Sequence, residues 1–554
     1  MKRIACIVLG LLMVGIPVFA GGGNQAAGSQ DGLTTLKVWG RNTPFSSNNE
    51  TVLLSELANG TKKNVVWDKF VAGLAARGIK LDMTLVMEDQ LTTSFQTLVA
   101  SGQINNYDWV APVVDEKTRL SLVEQKRIIP LNQAIQQYST GPAREYYFNT
   151  TNGKYFAKMD TLEDGNFYWL TQNLFSYYGD TSRPFGRARL GMIRQDWLTK
   201  LGLPMPKTLD EFYNTLVAFQ QQDVNGNGIK DEVSEITIEG FSRGMAGWFG
   251  LTSNGLVSFL DNKAVSPWYQ PHVKDYINYV SRLHKAGLLT TEGGVGQNNR
   301  SYIPDAYASE TWEEPTITVP AGAAGPYYAP VVIQVYPDTP VRVYHTEYGY
   351  NLYWSSGMPV IPAASKNIEK AVALIDYLTS EEWWVLYSYG VEGYNFRYLA
   401  DGSVERFTTA ENQAQVPPGY TINGGVPTNW LNMFPELIIT TNRAEDYKNW
   451  QAMGRSLGYA DGWQLRTDFH NDFYNNKYLF EEGAESLLTF PTAREIDRMA
   501  QITPDLDTYS KELFAGLVMG TKSMDNWDTY MADLKRLGLD ELIAINQARV
   551  DRGR

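Results

Sequence analysis

Between residues 35 and 110 the spacing of apolar residues switches repeatedly between a period of two and a helical period. Residues 35–39 (TLKVW) alternate apolar and polar, as a half-buried strand does. Residues 64–77 carry Val66, Phe70 and Leu74 at helical spacing and stop at Gly78. Residues 79–86 alternate again, 88–101 read as a helix closed by Gly102, and 107–110 form a third short strand. The order β-α-β-α-β calls for a parallel sheet with right-handed crossovers, so the fold class is α/β. In such sheets ligands bind beyond the carboxyl ends of the strands. Residues 40–43, 87–89 and 108–109 fall there. Arg41, Asn42, Asp108 and Trp109 thus become site candidates from topology alone. Trp109 reads equally well as a core ring, and Asp108 as a helix or turn cap.

The chain has 554 residues, too many for a single core, so at least one further domain follows. Residues 1–20 have the form of a cleaved export signal: Lys2 and Arg3, a short apolar run, then Val18-Phe19-Ala20. The only cysteine, Cys6, lies inside that segment, so the mature chain is expected to hold no disulfide. Residues 21–32 are rich in Gly, Ala, Ser and Gln and read as a flexible tether. No later stretch is long and apolar enough to span a bilayer. The formal charge is −13, and basic residues are scattered, which argues against a nucleic-acid partner.

A second patterned region begins near residue 190. Residues 190–207 look like a strand entering a short helix stopped by Gly202. Thr208 and Glu211 form a capping box, and Leu209, Phe212, Leu216 and Phe219 make one apolar helix face. That helix runs into residues 223–232, D-V-N-G-N-G-I-K-D-E. Asp223, Asn225, Asn227 and Asp231 place oxygen-bearing side chains at alternate positions. Ile229 offers its carbonyl, and Glu232 a carboxylate able to bind through both oxygens. Gly226 and Gly228 allow the tight curl. Hard, flexible oxygen donors at this spacing suit Ca²⁺. The same composition also makes an ordinary Asn/Gly turn. In an EF-hand the bidentate Glu would stand at the position of Ser234, and a helix would follow. Here residues 233–238 read as a strand, so the loop is expected to staple helix to strand.

Further on, residues 165–173 read as a strand-like run and 310–345 as extended crossing segments. Residues 367–378, 380–389 and the final block from about 500 read as helices. Four segments together resemble the extracellular solute-binding proteins of bacterial ABC importers, in the branch that includes alginate- and other oligosaccharide binders. They are residues 193–212 (IRQDWLTKLGLPMPKTLDEF), the 223–232 loop, residues 380–394 (SEEWWVLYSYGVEGY) and residues 527–542 (WDTYMADLKRLGLDEL). The resemblance implies two α/β lobes closing like a hinge on a ligand. It implies lobe 1 at 33–165 with about 330–380, and lobe 2 at 166–330 with about 381–554. It also implies a structural Ca²⁺ held by Asp223, Asn225, Asn227, the Ile229 carbonyl, Asp231 and Glu232. Many members carry a lipid-anchor cysteine after the signal; Gly21 stands there, favouring a periplasmic protein that reaches the membrane only through its permease.

Sugar recognition needs flat apolar faces for pyranose rings and planar polar groups for hydroxyls. With 15 Trp and 33 Tyr the chain can supply the first. Trp109, Trp248, Trp312 and Trp354 stand near polar partners, as do Gln172, Glu392 and Tyr394. The expectation is a monomeric binding protein, not an enzyme, that delivers a carbohydrate to an ABC permease. Two alternatives stay open: a secreted calcium-containing glycoside hydrolase with two facing carboxylates, and a binding protein that feeds a membrane sensor.

Overall fold

The structure is a computed structural model. It describes residues 32–47, 50–112, 114–170, 187–236, 238, 240–252, 255–260, 262–290, 300–307, 328–346, 358–400, 404–407, 409–422, 434, 479–480 and 488–554. The first lobe is built on β1 (Thr34–Arg41), α1 (Val65–Ala75), β2 (Ile79–Val86), α2 (Leu91–Ala100) and β3 (Trp109–Val110). The strand order is β2-β1-β3, all parallel, as the β-α-β-α-β pattern requires. Asn64 caps α1 by accepting from the amides of Val66 and Trp67. Gly78 follows at φ +72°, a conformation that costs glycine nothing. The buried face of α1, with Val66, Phe70 and Leu74, packs on Leu36 and Val38 of β1. Next come α3 (Glu116–Glu124) and, later, α4 (Thr151–Asp160).

The second lobe holds β4 (Arg187–Arg194), α5 (Leu209–Gln221), β5 (Val233–Ser234), α6 (Val273–Lys285), β6 (Arg300–Tyr307), β7 (Tyr328–Pro330) and β8 (Arg342–Thr346). With β9 (Leu479–Phe480) its sheet has the order β9-β8-β4-β6-β5, and β7 also pairs with β4. The central strand β4 runs antiparallel to β6, β7 and β8, while β5 is parallel to β6. The expected capping box is present: Thr208 and Glu211 cap each other at the start of α5.

Packing moves the lobe boundaries away from the expected ones. α7 (Ile368–Leu378) and α8 (Glu381–Tyr389) both belong to the first core. Trp383 lies 5.1 Å from Phe70 and 5.7 Å from Tyr377, so residues 381–396 join lobe 1 rather than lobe 2. Conversely Val331, Ile333 and Val341 are buried in the second core, so the described part of 330–345 belongs to lobe 2. Residues 166–170 form no ladder; Phe167 and Leu170 are buried there as irregular chain in lobe 1. The last elements are α9 (Ala493–Met519), α10 (Trp527–Leu537) and α11 (Leu539–Gly553), most of whose apolar faces lie in the lobe 2 core. Among the described residues no helix is long and apolar enough to cross a membrane.

Candidate binding site

β1 and β2 end in register at Arg41 and Val86, so the residues that follow emerge side by side at the carboxyl edge. Arg41 Nε forms an ion pair with Glu88 Oε2, and the Arg41 side chain is 21% exposed. Asn42 is buried beside it. Its Oδ1 accepts from the Ser55 amide at 3.0 Å, and its Nδ2 donates to Ser55 Oγ at 3.0 Å. Asn42 therefore fastens the edge to the short helix Leu54–Ala58, while Met87 stays exposed. A planar cation, a carboxylate and a thioether at one edge can hydrogen-bond neighbouring hydroxyls and touch a sugar face.

Asp108 and Trp109 sit lower than expected. Val38 pairs with Trp109 and Trp39 with Val110, so the chain after β3 comes level with Arg41 only at Pro112. Asp108 accepts from the Lys37 amide (3.0 Å), Ser365 Oγ (2.6 Å) and Asn367 Nδ2 (3.2 Å). Trp109 is fully buried and stacks on Phe434 at 6.3 Å. Trp248 is buried in lobe 2, edge-on to Phe212 at 5.1 Å. The register and the packing thus direct these three residues into the framework. Glu392 is exposed and Tyr394 half-buried, on a turn after Gly390 (φ +87°). A Cβ at Gly390 would come within 2.6 Å of Asn395 Oδ1, so only glycine fits there. Among the described residues no hydrogen bond joins the side chains of Glu392 or Tyr394 to the Arg41–Glu88 pair. Gln172, Trp312 and Trp354 lie outside the described residues.

Two further residues of lobe 1 carry no distinct mark in the sequence. Glu88 lies in a segment that topology places at the edge, and only the ion pair with Arg41 singles out its side chain. Arg119, in the first turns of the helix after β3, is 1% exposed. Its guanidinium lies 4.8 Å from the Trp169 ring and 5.3 Å from the Phe490 ring. Only its position just after a strand end could have drawn notice.

The 223–232 loop is a separate polar cluster. Asp223 accepts from the amides of Asn227 (3.1 Å) and Gly228 (2.9 Å). Asn227 Oδ1 accepts from the Ile229 amide at 2.7 Å. The Nδ2 groups of Asn225 and Asn227 both reach Asp231 Oδ1 at 3.1 Å. Glu232 is 1% exposed; its Oε1 accepts from the Asn225 amide at 3.0 Å. Its Oε2 is buried with no hydrogen-bond partner. A buried anionic oxygen without a partner is costly, so this atom fits a cation in the loop. Among the described residues no three His, Cys, Asp or Glu side chains converge as a metal-binding group, and the convergence here runs through two asparagines.

Topology sets this loop apart from the start of β4. Arg187 at the start of β4 pairs with Thr346 at the end of β8, so these two ends share one edge of the sheet. β6 is antiparallel to β4 and β5 parallel to β6, so the start of β5 lies at the opposite edge. The loop enters β5 at that start.

No family model matches the chain. It is 23% identical over 534 residues to the fructooligosaccharide ABC transporter substrate-binding protein FusA of Streptococcus pneumoniae, spanning 93% of this chain and 90% of that protein. The structure of FusA in complex with kestose matches with a TM-score of 0.65 at 19% identity, over 94% of this chain and 99% of that one. A structure of an EF-hand mutant of FusA in complex with fructo-nystose matches at TM-score 0.65 and 20% identity, over 94% and 99% of the two chains. An HMO-binding, ABC-transporter-associated solute-binding protein from Bifidobacterium longum infantis matches at TM-score 0.61 and 17% identity, over 94% and 99% of the two chains. The alginate-binding protein AlgQ2, in a structure without calcium ion, matches at 0.58 and 20%, over 95% and 99%.

Proposed function

From the two-lobed fold of the ABC-importer solute-binding proteins, which extends along nearly the whole chain, we propose that this protein captures an oligosaccharide between its lobes and delivers it to a permease. The observation that carries this reading is the likeness to FusA over 93% of the chain, together with separate cores for the two lobes. The protein binds without turnover, outside the cytoplasm, as a monomer. The ligand favours the closed arrangement by touching both lobes. Arg41 and Glu88 supply polar contacts from lobe 1; Glu392 and Tyr394, with Gln172, Trp312 and Trp354, complete the candidate set. Asn42, Asp108, Trp109 and Trp248 support that set from beneath.

Calcium in the 223–232 loop is part of the same proposal. Asp223, Asn225, Asn227, the Ile229 carbonyl, Asp231 and Glu232 would hold it, and its charge would satisfy Glu232 Oε2. In this reading it stabilises lobe 2 and touches no ligand; the loop enters β5 at the sheet edge opposite the start of β4, which supports that role.

Calorimetric titration with kestose, an alginate oligomer, a milk oligosaccharide and a control peptide tests the reading. Micromolar or tighter binding of one glycan, with the glycan recovered intact, is expected. Hydrolysis of a glycan, or tight binding of the peptide alone, would refute it.

A further inference from the structure

α9 runs for 27 residues through two different cores. Near its start, Ile496 packs with Trp169, Leu122 and Val360 of lobe 1. From Ile502 onward its buried residues belong to lobe 2. Lys117 of α3 pairs with Asp497 at 2.7 Å, which ties the first turns of α9 to lobe 1. The change of core falls just before Pro504, inside the helix. Proline removes one helical hydrogen bond and crowds the carbonyl four residues earlier, so the helix bends most easily there.

α11 belongs to lobe 2. Leu539 and Leu542 lie in its core, and Val550 packs on Phe259 and Ala264. Gln547 Oε1 accepts from the Ala264 amide at 2.8 Å. Yet the end of α11 reaches back past the level of Pro504. Arg552 holds Glu495 through two bonds of 2.7 Å, and the Glu495 side chain is only 14% exposed. Arg552 Nε also donates to Thr489 Oγ1 at 3.2 Å, and Arg549 Nε to the Thr489 carbonyl at 3.0 Å. Lys158 of α4 donates to the Gly553 carbonyl, a direct link from lobe 1 to α11.

We infer that the Glu495–Arg552 pair is a positioning contact that sets the angle between the lobes across the Pro504 position of α9. A two-point, sheltered Arg–carboxylate pair fixes direction as well as distance. Glu495 is already held by the Thr492 capping box, so little freedom is lost when Arg552 docks. The brace narrows the range of lobe angles in the ligand-free protein and keeps more molecules ready to bind. The effect on affinity rests on the binding reading above; the effect on lobe geometry does not.

The test uses the chain from residue 21 with Glu124→Cys and Lys285→Cys, exposed sites on α3 and α6, carrying spin labels. Pulsed electron resonance then gives the inter-lobe distance distribution without ligand. Arg552→Gln is expected to widen it about twofold, with Arg552→Lys between that variant and the parent. Kestose affinity should fall about three- to tenfold in Arg552→Gln, as the binding-competent fraction shrinks. An unchanged distribution in Arg552→Gln, even with a lower Tm, would overturn the inference. If the distribution widens but no glycan binds parent or variant, the brace stands and the carbohydrate reading fails.

Discussion

Asp376 in lobe 1 and Glu232 in lobe 2 are both buried carboxylates, 7% and 1% exposed, and their surroundings differ in kind. Asp376 accepts from Ser139 Oγ at 2.6 Å and from the amides of Thr140, Gly141 and Ala143 at 3.1–3.2 Å. Those donors sit at the start of the helix Pro142–Asn149, so one side chain on α7 fixes a neighbouring helix. Glu232 has one amide donor and one empty oxygen. A carboxylate satisfied by backbone donors completes the fold on its own. One left half-satisfied, among Asp223, Asn225, Asn227 and Asp231, is the one for which the proposed calcium would supply the missing partner.

The largest test of this contrast is removal of calcium. At a free concentration about a thousand times Kd, a single bound ion contributes about 4 kcal/mol. Chelation is expected to lower the Tm of the lobe 2 transition by about 10 °C in scanning calorimetry. Glu232→Gln should abolish that calcium dependence, while glycan affinity stays nearly constant. An unchanged melting curve with lost glycan binding would move the ion to the ligand site.

Asp376→Ala should cost about 3 kcal/mol in urea unfolding of lobe 1, because it strands several buried donors at once. That loss should be the same with calcium or chelator; a calcium-dependent loss would erase the contrast.

Glu495 offers the smallest and most graded case. Burial opposes its ionisation, but the hydrogen bonds from Arg552 and Thr492 prevail and hold its carboxyl below the ordinary value of 4.5. Its stabilisation is thus complete above that ordinary value and is lost as pH falls through the lower, folded one. Melting curves from pH 6 to pH 3 should show a shallower acid loss for Arg552→Gln than for the parent. Parallel curves would remove Glu495 from the set of linked carboxylates.

Local patterns carried much of this molecule. The parallel sheet follows from the switch of period in residues 35–110, and the Thr208–Glu211 cap from short-range chemistry; of the strand expected at 233–238, the described ladder covers only Val233–Ser234. Long-range choices were hidden. Trp383 could cover a helix in either lobe, and only its contact with Phe70 settles which. Asp108 and Trp109 were placed at the edge because a strand's length is visible in sequence while its register is not; β1 overshoots β3 by two residues. Arg119 has no local mark, since a guanidinium is buried only by rings brought from far along the chain.

The order of strands in the lobe 2 sheet has a consequence for how the chain matures. β4 is bordered on both sides by strands that come later, β6 and β8, and β9 joins later still. Its core closes only when the segment from Ile502 to Leu542 arrives. The sheet of lobe 1, by contrast, can zip from neighbours within the first hundred residues or so. A chain emerging from its amino end therefore forms half of one lobe early and leaves the other without a core until almost the last helix is delivered. Such non-local closure is slow, and it keeps the polypeptide loose until nearly its last helix is made, as threading through a narrow channel would require if the chain is exported as proposed.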